Sequence, residues 1–346
     1  MTNFTKSILA ALVAGGVLGA TATGVSAAAM NYKGKTIKIV IPYGPGGTYD
    51  KYGVSFSNHL GKHIPGNPNI ILQHMPGAGG AKAMNWAYNV MPKDGLNVIV
   101  PLDNGVTNQL MRPKRMRYDA RNFIWIGSSN QTNVVMVVRT DSGISKLEDL
   151  KTKLLIGSTS GKNSSGYINP MLLKGLFGYK IKMVTGYKGS SKSIFAMEQG
   201  ESKMAAFNWL AWASKVPHWF KGDKPFARAV AQIGIFRDPD LPMSVPMVSD
   251  LVTKPMDKKV VQFLGVAGLL GRGLALPPGV DKGTVKVLRT AYNKMNADPA
   301  FAAELRKRKL RLMPSTGEQI QKVVNESVTN ADAAVVAHAR KLIFGK

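Results

Sequence analysis

The chain has 346 residues, no cysteine and a formal net charge of +26, from 46 Lys and Arg against 20 Asp and Glu. The lack of cysteine excludes disulfides, thiolate metal sites and cysteine nucleophiles. The charge is spread along the chain and favours anionic partners, but it does not distinguish small anions from anionic polymers or membranes. The densest basic tract, residues 306–311, follows a helical pattern without interleaved aromatics, so we expect no nucleic-acid partner.

Residues 1–29 have the pattern of a secretory signal peptide. Lys6 is followed by an apolar segment from Ile8 to Leu18 and then by small residues up to Ala29. The apolar segment is too short for a comfortable membrane span, and we expect cleavage near Ala27. Export to the periplasm is therefore predicted. The chain that remains is longer than a single core usually accommodates, so we expect two domains.

Short apolar runs alternate with longer amphipathic segments along this remaining chain, which is typical of an α/β protein. The predicted strands cover residues 37–41, 70–73, 97–101, 125–128, 134–139, 154–158, 181–184, 204–207, 229–235 and 263–269. The predicted helices cover residues 49–62, 81–90, 146–151, 166–176, 190–199, 278–296, 299–309 and 316–339. Several helices follow a strand through a Gly/Ser/Thr-rich turn, which is where open α/β sheets place ligands.

The first of these turns, Pro42–Asp50, joins the strand at 37–41 to the next helix. Gly46 and Gly47 allow the backbone to approach a ligand closely, and Thr48 or Asp50 can cap the helix. No Lys-Ser/Thr pair follows, so a nucleotide P-loop is not supported. The unpaired amides and positive dipole end of a helix N-terminus make this turn a candidate anion site.

Two further small-residue loops, His74–Gly80 and Gly157–Gly166, also lie between an apolar run and a helix. Each loop alone is more often a turn than a site. Three such loops in one chain suggest that they converge on one ligand. Several helix N-termini at a cleft can bind carboxylate groups through dipoles and charge-assisted hydrogen bonds.

The motifs together resemble a known family, the Bug or TctC-like receptors, which are the extracytoplasmic solute-binding proteins of tripartite tricarboxylate transporters. The ordered motifs that carry the resemblance are Pro42–Gly47 with Asp50, Pro76–Gly80, Pro92–Gly95, Phe123–Gly127, Lys146–Leu150, Tyr187–Ser190, Ala227–Ala231 and Leu276–Gly279. They extend over nearly the whole mature chain.

This resemblance implies a type II periplasmic-binding-protein fold with two lobes, each a mixed sheet flanked by helices, and two hinge crossings. It implies a first lobe at 30–134 plus 237–346 and a second lobe at 135–236. A small organic carboxylate would bind between the lobes of a monomer and pass to the membrane permease subunits, with no cofactor.

The resemblance also implies which residues face the cleft. The predicted ligand-binding residues are Tyr43, Gly46, Gly47, Thr48, Tyr49, Asp50, Gly77, Ala78, Gly79, Asn104, Ser158, Thr159, Ser160, Asn163, Ser164, Tyr187, Lys188 and Asn208. Asp50 would cap its helix and order waters, because an ionised carboxylate facing another is repelled.

The chain departs from the family pattern in the second lobe. Family members often show an acidic residue after a Gly-Gln-Val segment near Gly200, whereas this chain reads Gly200-Glu201-Ser202-Lys203-Met204, which leaves the distal ligand contacts open. The segment 207–212 is unusually aromatic, and Asn208 or Trp209 could line the cleft for a larger carboxylate. Core positions are the favoured interpretation for Trp209 and Trp212, since bulky aromatics in an apolar run are usually buried.

Catalysis and metal binding are not supported. No Gly-x-Ser-x-Gly elbow occurs, and His74, His218 and His338 lack nearby triad partners. His59 and His63 have the i, i+4 spacing of a metal pair, but the His-Glu-x-x-His pattern is absent. We therefore predict a protein that is not an enzyme and holds no metal.

Two alternatives to a transport receptor stay open at this point. A receptor with the same fold could report its ligand to a membrane sensor kinase. A basic surface-adhesion protein could use its +26 charge to hold anionic envelope polymers. The sequence does not identify the ligand.

Overall fold

The computed structural model describes residues 31–345, so the predicted signal peptide at 1–29 lies outside the described residues. The strands are β1 (Thr36–Ile41), β2 (Asn69–His74), β3 (Asn97–Ile99), β4 (Ile124–Ser128), β5 (Val134–Arg139), β6 (Leu155–Thr159), β7 (Ile181–Thr185), β8 (Met204–Asn208), β9 (Ala227–Ile233), β10 (Gly273–Leu276) and β11 (Ser315–Thr316).

The α-helices are α1 (Thr48–His59), α2 (Ala81–Asn89), α3 (Gly105–Met111), α4 (Ser165–Phe177), α5 (Ser190–Glu198), α6 (Trp209–Ala213), α7 (Val248–Leu251), α8 (Pro255–Gly265), α9 (Ala267–Leu270), α10 (Lys282–Asn296), α11 (Pro299–Lys307), α12 (Gly317–Thr329) and α13 (Ala333–Phe344). Short 3₁₀ helices lie in the connections between these elements; one of them, Leu147–Lys151, lies between β5 and β6 where an α-helix is predicted. Within residues 31–345, no helix has both the length and the apolar character required to cross a bilayer.

The strands form two mixed sheets, in the orders β11-β4-β10-β3-β1-β2 and β7-β6-β8-β5-β9. In the first sheet β10 runs antiparallel to β3 and β4, and in the second sheet β5 runs antiparallel to β8 and β9. Interior strands such as β5, β8 and β10 bury side chains on both faces, as strands covered by helices do, whereas the edge strands β2 and β7 are largely half-buried or exposed. The predicted two-lobed α/β fold, with a mixed sheet flanked by helices in each lobe, is confirmed.

β5 and β10 each follow a crossing between the lobes. Residues 129–133 lead from β4 to β5, and residues 266–272 lead from α8 to β10. Each of these crossings runs directly into an interior strand of the lobe that it enters, so the crossing is anchored to that lobe's sheet. The chain therefore approaches the cleft between the lobes from both sheets.

Each lobe has its own apolar core. In lobe 1, apolar side chains of the helices pack against those of β1, β3 and β10 in one core. Lobe 2 has one core on each face of its sheet. Trp209, Trp212 and Trp219 belong to the core on one face, where Trp212 is fully buried. The interpretation of Trp209 and Trp212 as core residues is confirmed.

Two helical segments that are expected in lobe 1 pack on lobe 2. α8 buries Val260 and Val261 in the other core of lobe 2, and α13 buries Val335, Ala339 and Ile343 in the same core. The chain therefore returns to lobe 2 after α12, through residues 330–332. The spacing of the three buried residues of α13 places them on one face of the helix, and α4 and α8 cover that face.

The predicted strand at 263–269 is wrong, because this segment belongs to α8 and α9. Pro255 occupies the first turn of α8, where its missing N–H costs nothing, and an apolar run of this length is ambiguous between strand and helix. The predicted helix at 316–339 is two helices. Asp332 accepts hydrogen bonds from the amides of Ala334 and Val335 and so starts a new helix.

We expect Ile343→Ala to destabilise the protein by about 2–4 kcal/mol, because it leaves a cavity in the core of lobe 2. The exposed Arg340→Ala on the same helix is the control and should change stability by less than about 0.5 kcal/mol. Urea unfolding followed by tryptophan fluorescence measures both. Equal effects of the two variants would show that α13 does not pack on lobe 2.

Candidate functional site

The candidate site is the cleft between the lobes, where the N-termini of three helices meet. Gly47 begins α1 from lobe 1, while Ser164 and Gly189 begin α4 and α5 from lobe 2. None of these three N-cap residues makes a side-chain cap hydrogen bond. Amide donors at the positive ends of three helix dipoles are thus directed at one place.

The space between protein atoms in and around the cleft, open solvent included, is about 500 Å³. Both lobes contribute backbone and side-chain groups to its wall. The lining residues are Tyr43, Gly47, Thr48, Tyr49, Asp103, Val134, Ser160, Ser164, Ser165, Gly166, Gly189, Ser190, Phe207, Asn208 and Arg272. Seven of them, Tyr43, Gly47, Thr48, Tyr49, Ser160, Ser164 and Asn208, belong to the predicted set.

A buried ion pair forms part of this wall. Arg272 Nη1 donates to Asp103 Oδ2 at 2.8 Å, and the two side chains are only 3% and 9% exposed. The guanidinium carbon of Arg272 lies 3.7 Å from the centre of the Tyr49 ring, a cation–π contact. Arg272 Nη2 reaches Thr48 Oγ1 at 3.5 Å, and its Nε has no hydrogen-bond partner among the described residues. Arg272 therefore retains unused donors beside the cleft.

The charge state of this cluster follows from burial and from its neighbours. Burial lowers the pKa of the Arg272 guanidinium, but the nearby Tyr49 and Asp103 outweigh this effect and raise the pKa above its ordinary value. Burial also raises the pKa of the Tyr43 and Tyr49 phenols. The cluster thus offers a permanent cation and neutral phenols to a ligand.

The carboxylate of Asp103 is well satisfied. Its Oδ1 accepts hydrogen bonds from the amide of Asn104 at 2.8 Å and from Ser165 Oγ at 3.1 Å. The hydroxyl of Tyr49 accepts from the Asp103 amide at 3.0 Å. Asp103 thus joins the Arg272 cluster of lobe 1 to the start of α4 in lobe 2.

The loop at 42–50 differs from the prediction in how α1 begins. Neither Thr48 nor Asp50 caps the helix, because Gly47 is the N-cap. Asp50 instead accepts a hydrogen bond from the Gly46 amide at 2.8 Å and pairs with His74 Nε2 at 2.6 Å. The Gly46 amide is therefore already engaged, and Asp50 shapes the loop behind the cleft wall.

The loop at 74–80 is a contact between the lobes and does not line the cleft. Ala78 O accepts from Asn163 Nδ2 at 2.8 Å, and Gly79 O accepts from the Tyr43 hydroxyl at 3.1 Å. A Cβ on Gly161 would lie 2.6 Å from the Gly79 amide nitrogen, so these backbones touch. Close packing of two glycine-containing loops explains their small residues without a ligand.

The other predicted residues also lie outside the wall of the cleft. Ser158 and Thr159 are fully buried inside lobe 2, and Thr159 Oγ1 shares a hydrogen bond with Ser164 Oγ. Tyr187 contacts Glu201, and the carbonyl of Lys188 accepts from the Gly44 amide at 2.7 Å. Gly77 is also absent from the residues that line the cleft, and Asn104 lines a second cavity that adjoins it.

The lobes are in direct contact across the cleft in this structure. Asn208 Nδ2 donates to Thr48 Oγ1 at 3.0 Å, and Lys51 Nζ donates to Ser214 Oγ at 2.8 Å. Asn104 Nδ2 donates to the carbonyl of Asn163 at 2.9 Å. These bonds, together with the backbone bond between Gly44 and Lys188, define a closed arrangement of the lobes.

Sequence reasoning missed the two charged residues of the cleft. Arg272 stands alone among apolar and glycine residues at 269–276, and an isolated charge in such a run is a usable signal, since buried charges need a partner or a function. Asp103 follows β3 at the carboxyl end of its sheet, the usual place for a ligand. The pairing of the two residues spans 169 positions and is decided by the fold alone.

The histidines at 59 and 63 do not form a metal site. His59 pairs with Glu304 at 2.7 Å and His63 with Asp298 at 3.2 Å, so each ring contacts a different carboxylate. Among the residues that the structure describes, no group of three or more His, Cys, Asp or Glu side chains has the geometry to hold a metal ion.

Comparison with known proteins gives one family and one fold. The sequence profile of the "Tripartite tricarboxylate transporter family receptor" matches residues 57–339, a range that excludes the loop at 42–50. The chain is 21% identical over 283 residues to a UPF0065 protein of Bordetella pertussis (strain Tohama I), an alignment that covers 80% of this chain and 81% of that protein.

Two solved structures illustrate the similarity of the fold. The periplasmic binding protein BugD has a TM-score of 0.70 and 16% identity, over 86% of this chain and 96% of that chain. MatC from Rhodopseudomonas palustris, solved with bound malate, has a TM-score of 0.68 and 18% identity, over 87% and 99% of the two chains.

We expect Arg272→Met to destabilise the protein by about 3–5 kcal/mol, because it leaves the Asp103 carboxylate buried without its cation. The double variant Arg272→Met with Asp103→Asn should lose less stability than Arg272→Met alone. Urea unfolding of wild type, both single variants and the double variant gives the coupling energy of the pair. Additive single effects would mean that the two charges do not stabilise each other.

Proposed function

We propose, from the premise that this chain belongs to the tripartite tricarboxylate transporter receptor family, that it binds a small organic carboxylate in the cleft between its lobes. Membership confirms the resemblance derived from the sequence motifs and makes the chain a solute-binding receptor that is not an enzyme. The binding site within the cleft and the chemistry of the ligand are the proposal.

The observation that carries this proposal is the convergence of one cation and three uncapped helix N-termini on the same cleft. Arg272 supplies a permanent positive charge, and α1, α4 and α5 supply amide donors that no side chain of their N-caps engages. A carboxylate accepts several hydrogen bonds at once and gains most from charged and preorganised donors. The malate in the fold relative MatC is a carboxylate of this kind.

The lobe contacts support a mechanism of capture by closure. The bonds between Thr48 and Asn208 and between Gly44 and Lys188 form only when the lobes meet. A ligand bridging α1 and α4 would add contacts to the same closed arrangement and so shift the equilibrium toward it. The closed form would then present a combined surface of both lobes to a membrane partner.

Export and delivery complete the proposal. The signal-peptide pattern at 1–29 and the family together favour a periplasmic receptor that passes its ligand to the membrane subunits of a tripartite tricarboxylate-type transporter. The net charge of +26 would raise the association rate of an anionic ligand, an effect that weakens as ionic strength rises.

Ligand screening by thermal shift is the direct test of this function. Mono-, di- and tricarboxylates, malate among them, should raise the unfolding temperature of the mature chain in a saturable way. Phosphate and sulfate at the same concentration are the controls for charge alone. If only polyanions stabilise the protein and moderate salt abolishes the effect, the proposal fails and surface adhesion is favoured.

We expect Arg272→Lys to weaken binding of the best carboxylate by about tenfold or more, since lysine keeps the charge but loses the planar donor fork. The control is Arg289→Lys, which alters a surface pair with Glu318. Isothermal titration measures both affinities, and unfolding midpoints verify that both variants fold. Unchanged affinity in Arg272→Lys would remove Arg272 from the site.

A further inference from the structure

A second cavity adjoins the cleft at the hinge. It shares Asp103, Val134 and Ser165 with the cleft and extends between the hinge crossing at 129–133 and the segment 264–268. We call it the hinge chamber. The space between protein atoms in and around it, open solvent included, is about 400 Å³, and the part that a buried group could occupy is small. Since it lies where the lobes pivot, a group enclosed there would be in contact with both lobes.

The chemistry of the hinge chamber differs from that of the cleft. Its wall has no Lys, Arg or His, and its one ionisable group is Asp103. Arg272 lies on the cleft side of Asp103 only. An anionic group would therefore meet acceptors in the chamber, whereas it meets a cation and helix N-termini in the cleft.

Two asparagines in the chamber wall leave buried oxygens unpaired. Asn104 and Asn133 are 4% and 3% exposed, and their Oδ1 atoms have no hydrogen-bond partner in the described chain. The orientation of each amide is fixed by the group to which its Nδ2 donates. Asn104 Nδ2 donates to a backbone carbonyl, that of Asn163.

The orientation of Asn133 is fixed through one further residue. Asn133 Nδ2 donates to Gln232 Oε1 at 3.1 Å, while Gln232 Nε2 donates to the carbonyl of Val245 at 3.2 Å. Because Gln232 donates to a backbone carbonyl, reversing the side-chain amide of Asn133 or of Gln232 would lose a hydrogen bond. The two asparagine carbonyl oxygens thus lack hydrogen-bond donors, whereas the Asp103 carboxylate already has its own.

We propose that the hinge chamber is a subsite for a donor group of the ligand, a hydroxyl or an ammonium, and not for a second carboxylate. This inference rests on the proposed function, in which the cleft holds the ligand's first carboxylate. The receptor would then prefer hydroxy- or amino-substituted carboxylic acids to plain dicarboxylic acids. A site built to pair with a donor discriminates strongly against an analogue that lacks it.

The test uses a matched series of probes that differ only at the end remote from the shared carboxylate. Butyrate, 4-hydroxybutyrate, 4-aminobutyrate and succinate are compared by isothermal titration, along with the corresponding three- and five-carbon series. In at least one series, the hydroxy or amino acid should bind about tenfold or more tightly than the dicarboxylate and the unsubstituted acid.

Asn133→Leu removes one acceptor while Gln232 Oε1 keeps its bond from the Asp238 amide at 2.9 Å. It should reduce the preference for the donor group to less than about threefold. Asn293→Leu, at an exposed position of α10, is the control and should leave the preference unchanged. Because Asn133 lies at the hinge, Ala267→Leu, which fills the chamber without cutting a side-chain hydrogen bond, provides a second variant with the same expected loss.

The outcomes separate the two proposals. If the dicarboxylate or the unsubstituted acid binds as tightly as the hydroxy and amino acids in every series, the hinge chamber is no donor subsite, while the carboxylate receptor stands. If both chamber variants keep the full preference, the donor group lies elsewhere and the inference is wrong. If neither these acids nor the carboxylates of the thermal-shift screen bind, the proposed function fails and the inference fails with it.

Discussion

The buried cation Arg272 is the constraint on which the arrangement of the cleft depends. An uncompensated guanidinium at this depth would be costly, so Asp103, the Tyr49 ring and Thr48 are arranged around it. Asp103 lies shortly after β3, and Thr48 and Tyr49 lie in the first turn of α1. The residues that surround the cation are therefore also part of the cleft wall. Stability of lobe 1 and the electrostatics of the site thus depend on one cluster.

Asp103 divides the space between the lobes into two environments. On one side lie Arg272 and the N-termini of α1, α4 and α5, which favour negative charge. On the other side lie the hinge and two asparagine oxygens that lack donors. A ligand that spans both sides would place its anionic group near Arg272 and its donor group near the asparagine oxygens. This would fix the orientation of the ligand within the cleft.

The glycine-rich loops serve closure as much as binding. The loop at 74–80 has the composition of an anion-binding turn, yet its small residues allow it to pack against Gly161 and Asn163 of the other lobe. Glycine composition alone does not separate these roles, because both need the backbone to approach a partner closely. Only the position of each loop in the closed arrangement tells them apart.

The sequence alone predicts the α/β class, most strands and helices, the family and the positions of the loops at 42–50 and 157–166, since these features depend on local periodicity and on turn residues. It did not determine the helical state of 263–269, the packing of α13 on lobe 2 or the pairing of Arg272 with Asp103. An apolar run has no intrinsic strand or helix identity, and a charge finds its partner only where distant segments meet. Tertiary structure decides such features because their free energy comes from contacts between residues far apart in the chain.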